Sequence, residues 1–464
     1  MTTPRQYDAI VIGSGQGGNP LSSTLAKAGM HTALLERKHV GGTCINEGCT
    51  PTKTMVASGR VAYLARRAAD YGVSTGPVRI DLQKVRQRKR DIVDSFRNAS
   101  QRGIEKTQNL DLIFGEASFR DRRTVAIRAS NGSDRVISAP RIFINAGTRA
   151  SRPRIDGIET VSVLDNISIM ELGVVPDHLM VLGGGYIGLE FGQLFRRFGS
   201  RVTIIQSGGQ LLTQEDPDVA EEIATILRED GIETLLNAKA TKVEQSGEAI
   251  ELEVQMGRSP SRIVGSHLLA ATGRVPNSDS LNLTAAGVQT DERGFIQVNE
   301  RLETNVEGIY ALGDIKGGPA FTHISYDDFR ILRANLLEKK SATTTNRLVP
   351  YCLFIDPQLG RIGMTEAEAR AQGRNIRVAK LPMKSVARAL EVDETRGFLK
   401  AVVDAHSNQI LGAAVLGIEG GEVMAVLETA MMGNLPYTAL RDATYAHPTL
   451  AESLNNLFMA MDSA

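Results

Sequence analysis

The stretch YDAIVIGSGQGG (residues 7–18) runs a short apolar segment into a G-x-G-x-x-G and then into a helical pattern, and it returns as DHLMVLGGGYIGLE (177–190). Each copy reads as strand, tight turn and helix. In such a unit Gly13 and Gly183 permit the turn, Gly15 and Gly185 let backbone approach a pyrophosphate, and Gly18 and Gly188 let the helix pack on the strand. The phosphates of a dinucleotide then sit at the positive end of the helix. The end of the next strand tests each copy. MHTALLE (30–36) ends at Glu36, an acid placed to accept ribose hydroxyls. SRVTIIQ (200–206) ends at Gln206, neither the acid that suits a plain ribose nor the arginine that suits a 2′-phosphate, so the choice between NADH and NADPH stays open. Two dinucleotide sites in one chain imply a relay between a flavin and a nicotinamide.

The composition agrees with this and narrows the partners. A chain of 464 residues, 42% hydrophobic and 23% charged, is expected to be globular and divided into two to four domains. Lysine plus arginine equals aspartate plus glutamate at 53 each, so no net field draws the protein to nucleic acid or to an acidic membrane. MTTPRQYDAIVIG lacks the layout of a signal peptide, and no apolar run reaches the ~20 residues of a membrane span. A cytoplasmic protein is expected.

GGTCINEGCTPTK (41–53) places two of the three cysteines, Cys44 and Cys49, five positions apart. A reducing compartment argues against a structural disulfide framework and for a catalytic or redox-sensing pair. Zinc is a poor alternative, because two cysteines without another such pair fall short of four ligands, and no metal site is expected. In a regular helix, residues five apart lie ~7.5 Å apart along the axis, at or beyond disulfide reach, so the backbone here must be irregular. Gly48 allows that, and a helix resuming near Pro51 puts Cys49 at a helix N-terminus, which favours a thiolate. Cys352 is expected to be simply buried.

Beyond these motifs stand INAGT (144–148), ATGRVPN (271–277), TNVEGIYALGD (304–314) and HPTLAE (447–452). This ordered set resembles the class I pyridine nucleotide-disulfide oxidoreductase family, which includes glutathione reductase, dihydrolipoamide dehydrogenase and mercuric reductase. CINEGCTPTK and AFTHISYDDFR are similar to its mercuric-reductase-like branch, which includes the reactive-chlorine-resistance flavoproteins. The resemblance implies an α/β fold: two Rossmann-like dinucleotide-binding domains, for FAD and NAD(P)H, plus a C-terminal α+β dimerisation domain. The seams expected are 1–150 with 275–345 for FAD, 151–274 for NAD(P)H, and 346–464 for the interface.

The resemblance also implies roles. Cys49 would be the thiol against the flavin and Cys44 the outer thiol that attacks the acceptor. Gly42, Thr43, Lys53, Gly147, Arg274 and Asp314 would serve FAD, with Asp314 on the ribityl chain. Tyr186 would cover the nicotinamide pocket, Glu190 would pair with Lys53, and Gly273 would lie on the NAD(P)H side. His447, oriented by Glu452, would exchange protons with the cysteines of the other subunit, so the active site would be shared in a homodimer. The acceptor would be a small-molecule disulfide, a quinone-like compound or a metal ion. Ser23 stands where glutathione reductases place an arginine, and NNLFMAMDSA (455–464) lacks the terminal cysteine pair of mercuric reductases. Alternatives are a dihydrolipoamide dehydrogenase-like enzyme, a diaphorase or transhydrogenase with dispensable cysteines, and a redox-responsive flavoprotein. Glu47 is the departure nearest the chemistry.

Overall fold

The computed structural model describes residues 4–129, 132–257 and 259–463. The chain divides into two compact units, Met1–Met55 with Gln83–Ser151 and Gly273–Arg347, and Val56–Leu82 with Arg152–Thr272 and Leu348–Ala464. Among the described residues no helix is long and apolar enough to cross a membrane.

The first unit is built on a parallel five-stranded sheet in the order Ile309–Ala311, Arg141–Ile144, Ala9–Ile12, Thr32–Glu36, Leu110–Phe114. Ala9–Ile12 is buried on both faces, which is why its sequence is continuously apolar rather than alternating. Successive side chains nevertheless feed different cores. Ala9 and Val11 pack with Leu21 and Leu25 of the helix Gly18–Lys27 and with Phe329 and Leu332 of the helix Thr322–Leu337. Ile10 and Ile12 pack with Phe119, Val125 and Ile137 from a three-stranded meander on the other face, to which Arg5–Gln6 adds a parallel edge. A short antiparallel pair, Thr148–Ala150 with Arg274–Pro276, closes the unit where the chain leaves and returns.

The second unit repeats the parallel arrangement, in the order Val163–Leu164, His267–Ala270, His178–Leu182, Arg201–Ile205, Glu233–Leu235. An antiparallel sheet of Ala238–Ser246, Ala249–Met256 and Ser259–Gly265 covers one face, as the meander does in the first unit. The remainder is an antiparallel five-stranded sheet, in the order Tyr351–Leu353, Gln358–Gly363, Ile410–Gly417, Phe398–Asp404, Ile376–Pro382, packed against the helices Gly420–Met432 and Ser453–Met459. Two parallel nucleotide-type folds followed by an α+β layer are the expected class. Within this unit the segment after Arg201–Ile205 is tied to the antiparallel sheet. Arg361 Nε lies 3.2 Å from Glu215 Oε2, and Asp216 accepts from the amides of Glu366 and Ala367 while Lys400 Nζ sits 3.1 Å away.

Candidate redox and nucleotide site

In the first fingerprint, Gly13 has φ +100°, and a Cβ there would stand 2.4 Å from Asn145 O. A Cβ on Gly18 would stand 2.0 Å from Gly13 O, so helix and strand approach as the motif requires. Asn145, which the sequence reading did not single out, holds the turn: Gly18 N donates to its Oδ1 at 2.9 Å and its Nδ2 donates to Leu312 O at 2.9 Å. Glu36 ends its strand as expected. Its carboxylate accepts from Ser14 N and Ser14 Oγ at 3.2 and 2.6 Å and from Lys38 N at 2.8 Å.

The cysteine segment lies directly on this turn, since a Cβ on Gly42 would come within 2.6 Å of Gly15 Cα, and Gly41 N donates to Ser14 Oγ. Its backbone is irregular, as the cysteine spacing demands. A short helix Gly42–Asn46 holds Thr43 and Cys44, breaks at Gly48, and a second helix, Cys49–Arg66, begins at Cys49 and carries Lys53. Asn46 braces the first helix, donating to Val40 O and Gly42 O and accepting from Arg97 Nε at 2.7 Å. Cys49 is exposed and Cys44 half-buried, and Thr322 Oγ1 lies 3.3 Å from Cys49 Sγ. Cys44 is held protonated: its hydrogen bond with Cys49, then burial, then the neighbouring sulfur's charge push its thiol well up, against weaker opposing pulls from Thr322 and Lys53. Thr322 was missed in the sequence, although AFTHISYDDFR contains it. Cys352 is half-buried rather than fully buried, because its strand lies at the sheet's edge.

Asp314 sits in the tight turn Gly313–Lys316, its Oδ2 accepting from Thr148 Oγ1 at 3.1 Å. Arg274 donates to the same threonine, Nε to Oγ1 and Nη2 to the carbonyl, both at 2.8 Å. Gly147 has φ +66° with no atom within 4 Å of an added Cβ, and Gly273 O accepts from Ser151 N within this same unit.

In the second fingerprint Gly183 has φ +109°, and a Cβ on Gly188 would meet Gly183 O at 2.1 Å. Gly185 has nothing within 4 Å, leaving open space at the N-terminus of the helix Tyr186–Phe198. Gln206 is turned back on the loop: Gly184 N donates to its Oε1 at 3.0 Å, and its Nε2 donates to Gln210 O. Tyr186 packs against the Tyr351 ring with centroids 5.3 Å apart, and burial, followed by the charge of Glu215, pushes its phenol up to about 12. Glu190 accepts from Phe354 N at 2.9 Å. His447 is exposed, with Nδ1 2.9 Å from Glu452 Oε2. Lys53 belongs to the first unit, and Glu190, His447 and Glu452 belong to the second.

Residues 7–328 match the family model for pyridine nucleotide-disulphide oxidoreductases, and residues 349–458 match that family's dimerisation domain. The chain belongs to the pyridine nucleotide-disulphide oxidoreductase family. It is 40% identical to the probable pyridine nucleotide-disulfide oxidoreductase RclA of Escherichia coli, over 98% of this chain and 99% of that one. It is 34% identical to a mercuric reductase of Lysinibacillus sphaericus, over 98% of this chain and 83% of the relative. Among solved structures, the Cu(II) complex of the HOCl-induced flavoprotein disulfide reductase RclA from Escherichia coli superposes with a TM-score of 0.90 at 38% identity, covering 98% and 99% of the two chains.

The protein is therefore an oxidoreductase of a family that uses FAD and NAD(P)H, and it carries that family's dimerisation domain. The first unit fits a dinucleotide: its glycine turn is held by Asn145, whose side chain takes up only the Gly18 N–H at the start of the helix, and the Glu36 carboxylate ends the adjacent strand. The second leaves open space at Gly185, at the start of the helix Tyr186–Phe198, where the phosphates of a dinucleotide can approach.

Proposed function

We propose that the protein is an NAD(P)H-dependent flavoprotein reductase that reduces Cys44–Cys49 and passes the two electrons to metal ions of the Cu(II) type, one to each. The observation that carries this is the sulfur pair itself: two cysteines hydrogen-bonded to each other, beside Thr322, at a helix N-terminus laid against the first glycine turn. FAD, when bound, supplies the transfer of two electrons from NAD(P)H to the disulfide. Gly13, Gly15, Gly18, Glu36, Gly42, Thr43, Lys53, Gly147, Arg274 and Asp314 hold it, and Gly183, Gly185, Tyr186, Gly188, Glu190, Gln206 and Gly273 hold the nicotinamide nucleotide. The domains run 1–150 with 275–345, 151–274, and 346–464, in a cytoplasmic homodimer.

Cleaving the S–S bond takes up two electrons and one proton. The raised Cys44 thiol keeps the proton, and the charge on Cys49 is favoured by the N-terminus of Cys49–Arg66. Two Cu(II) ions then take one electron each, the S–S bond re-forms, and the Cys44 proton leaves. The metal acceptor is favoured by the likeness to a reductase solved as its Cu(II) complex.

A small disulfide is the second reading, favoured by the His447–Glu452 pair, because a disulfide acceptor must gain protons as well as electrons. In a homodimer with shared sites, His447 from the second copy takes the Cys44 proton so that the thiolate can attack.

The test is an anaerobic titration of the purified protein with NADH and then NADPH, following the visible spectrum in the parent and in Cys44→Ser. A long-wavelength band at two-electron reduction, already present in oxidised Cys44→Ser, is expected. Bleaching without such a band would make the cysteines bystanders and leave a diaphorase.

A further inference from the structure

The motif YDDFR (326–330) has no part in the chemistry above, yet it holds a fully buried carboxylate, Asp328, at 0% exposure. Burying a carboxylate is costly unless cations and N–H donors surround it, so its partners are informative. Gly313 N donates to Asp328 Oδ2 at 2.8 Å, and Lys316 Nζ lies 3.3 Å from the same oxygen. Arg347 Nη1 lies 2.6 Å from Oδ1. Gly313 and Lys316 are the first and last residues of the tight turn that carries Asp314. One carboxylate therefore grips both ends of that turn. Gly313 also has φ +71°, and a Cβ there would stand 2.7 Å from both Asn145 Nδ2 and Ser325 Oγ. The turn has little room to relax toward another conformation.

We propose that Asp328 is a positioning residue of the flavin site: clamped by Lys316 and Arg347, it fixes the Gly313–Lys316 turn and so presets Asp314 to receive the dinucleotide. This rests on the assignment of Asp314 to FAD. Arg347 is the last residue of the first unit, so the clamp also secures the end of the polar segment KKSATTTNRLVP (339–350) before the chain enters the second unit.

The experiment is a flavin-release measurement on the purified holoprotein, following FAD fluorescence as it leaves, for the parent, Asp314→Asn, Asp328→Asn, the double variant, Arg347→Met and Arg347→Lys. Asp328→Asn is expected to speed release on the order of 10–100-fold, as the loss of charge-assisted hydrogen bonds implies. The double variant is expected to release no faster than the faster single one, because both changes disable the same contact. Arg347→Lys is expected to stay nearer the parent than Arg347→Met, and the visible flavin spectrum to change alike in Asp314→Asn and Asp328→Asn. A parent-like rate in Asp328→Asn, or a double variant whose effect is the product of the two singles, overturns the proposal. A parent-like rate in Asp314→Asn removes the flavin assignment on which it rests. If Asp328→Asn does not fold, Lys316→Met replaces it: release at least about threefold faster is expected from the weakened grip, and an unchanged rate overturns the clamp.

Discussion

Arg361 Nε lies 3.2 Å from Glu215 Oε2, with the two side chains only 5% and 2% exposed. Burial outweighs the attraction of Arg361 and pushes Glu215 up to about 7, with Asp216 and Glu368 adding to the rise. A carboxyl whose folded value exceeds its unfolded value of 4.5 binds more protons when folded. Its contribution to stability is thus fully present below about 4.5 and lost as pH rises through about 7. Glu215→Gln, which mimics the protonated acid, is expected to flatten the stability curve across that window by up to ~3 kcal/mol. Urea unfolding at several pH values checks this; an unchanged slope would show that Glu215 is ionised throughout.

Asp356 accepts from Arg197 Nη1 at 2.5 Å and Arg60 Nη1 at 2.8 Å, and its backbone exchanges hydrogen bonds with the Gln193 amide. Arg197 also lies over the Tyr63 ring at 4.1 Å. Asp356→Ala would remove the nearest counter-charge of both cations, leaving Arg197 with Asp230 at 3.9 Å and Arg60 with Glu419 at 4.0 Å, and a loss of about 3 kcal/mol is expected. Thermal unfolding should shift downward by several degrees. A shift within error would mean that water or the nearby acids replace the carboxylate.

Cys44→Ser and Cys49→Ser are each expected to lower NAD(P)H-driven Cu(II) reduction by at least about 100-fold, since a single sulfur cannot store two electrons in a disulfide. Flavin reduction by NAD(P)H should persist in both. Turnover close to the parent in either variant would point to direct transfer to the acceptor.

His447→Ala separates the two acceptor readings. Reduction of a small disulfide should fall on the order of 10²–10³-fold for want of a proton partner, whereas Cu(II), which takes no proton, should lose only a few-fold. Glu452→Gln should show the same split more weakly, because its amide oxygen can still accept from Nδ1 and only the negative charge is lost. Equal losses on both acceptors would assign His447 a structural role.

Glu47 is half-buried at the break between the two cysteine-bearing helices. Glu47→Val is expected to raise the KM for Cu(II) by about three- to tenfold through loss of one local negative charge, with little effect on a small disulfide. An equal effect on both would exclude cation selection.

The parts of this molecule written in short contiguous motifs were legible in the sequence. Gly18 and Gly188 announce their close approach because the steric demand, from Gly13 O and Gly183 O, lies within a few residues; Gly13 and Gly183 are marked by their positive-φ turns, and Glu36 follows at the end of the neighbouring strand. The break between Cys44 and Cys49 follows from helix geometry and Gly48 alone. What escaped was set by contacts across the chain. Thr322 reaches Cys49 from 273 positions away, Asn145 joins Gly18 to Leu312, and Arg361 meets Glu215 across 146 positions. INAGT and AFTHISYDDFR contain Asn145 and Thr322, but nothing local in either motif says which distant atom its side chain meets, and Arg361 and Glu215 lie in no motif at all.

The first unit is assembled from three separated stretches, and its parallel sheet gains the edge strand Ile309–Ala311 only from the third. A chain emerging from the ribosome therefore exposes the open edge of Arg141–Ile144 throughout synthesis of the entire intervening fold. Translation order makes Asn145 wait for Leu312 and Thr148 wait for Asp314. Nascent chains stalled before residue 309 should accordingly be the ones that depend on holdase chaperones and that fail to retain flavin.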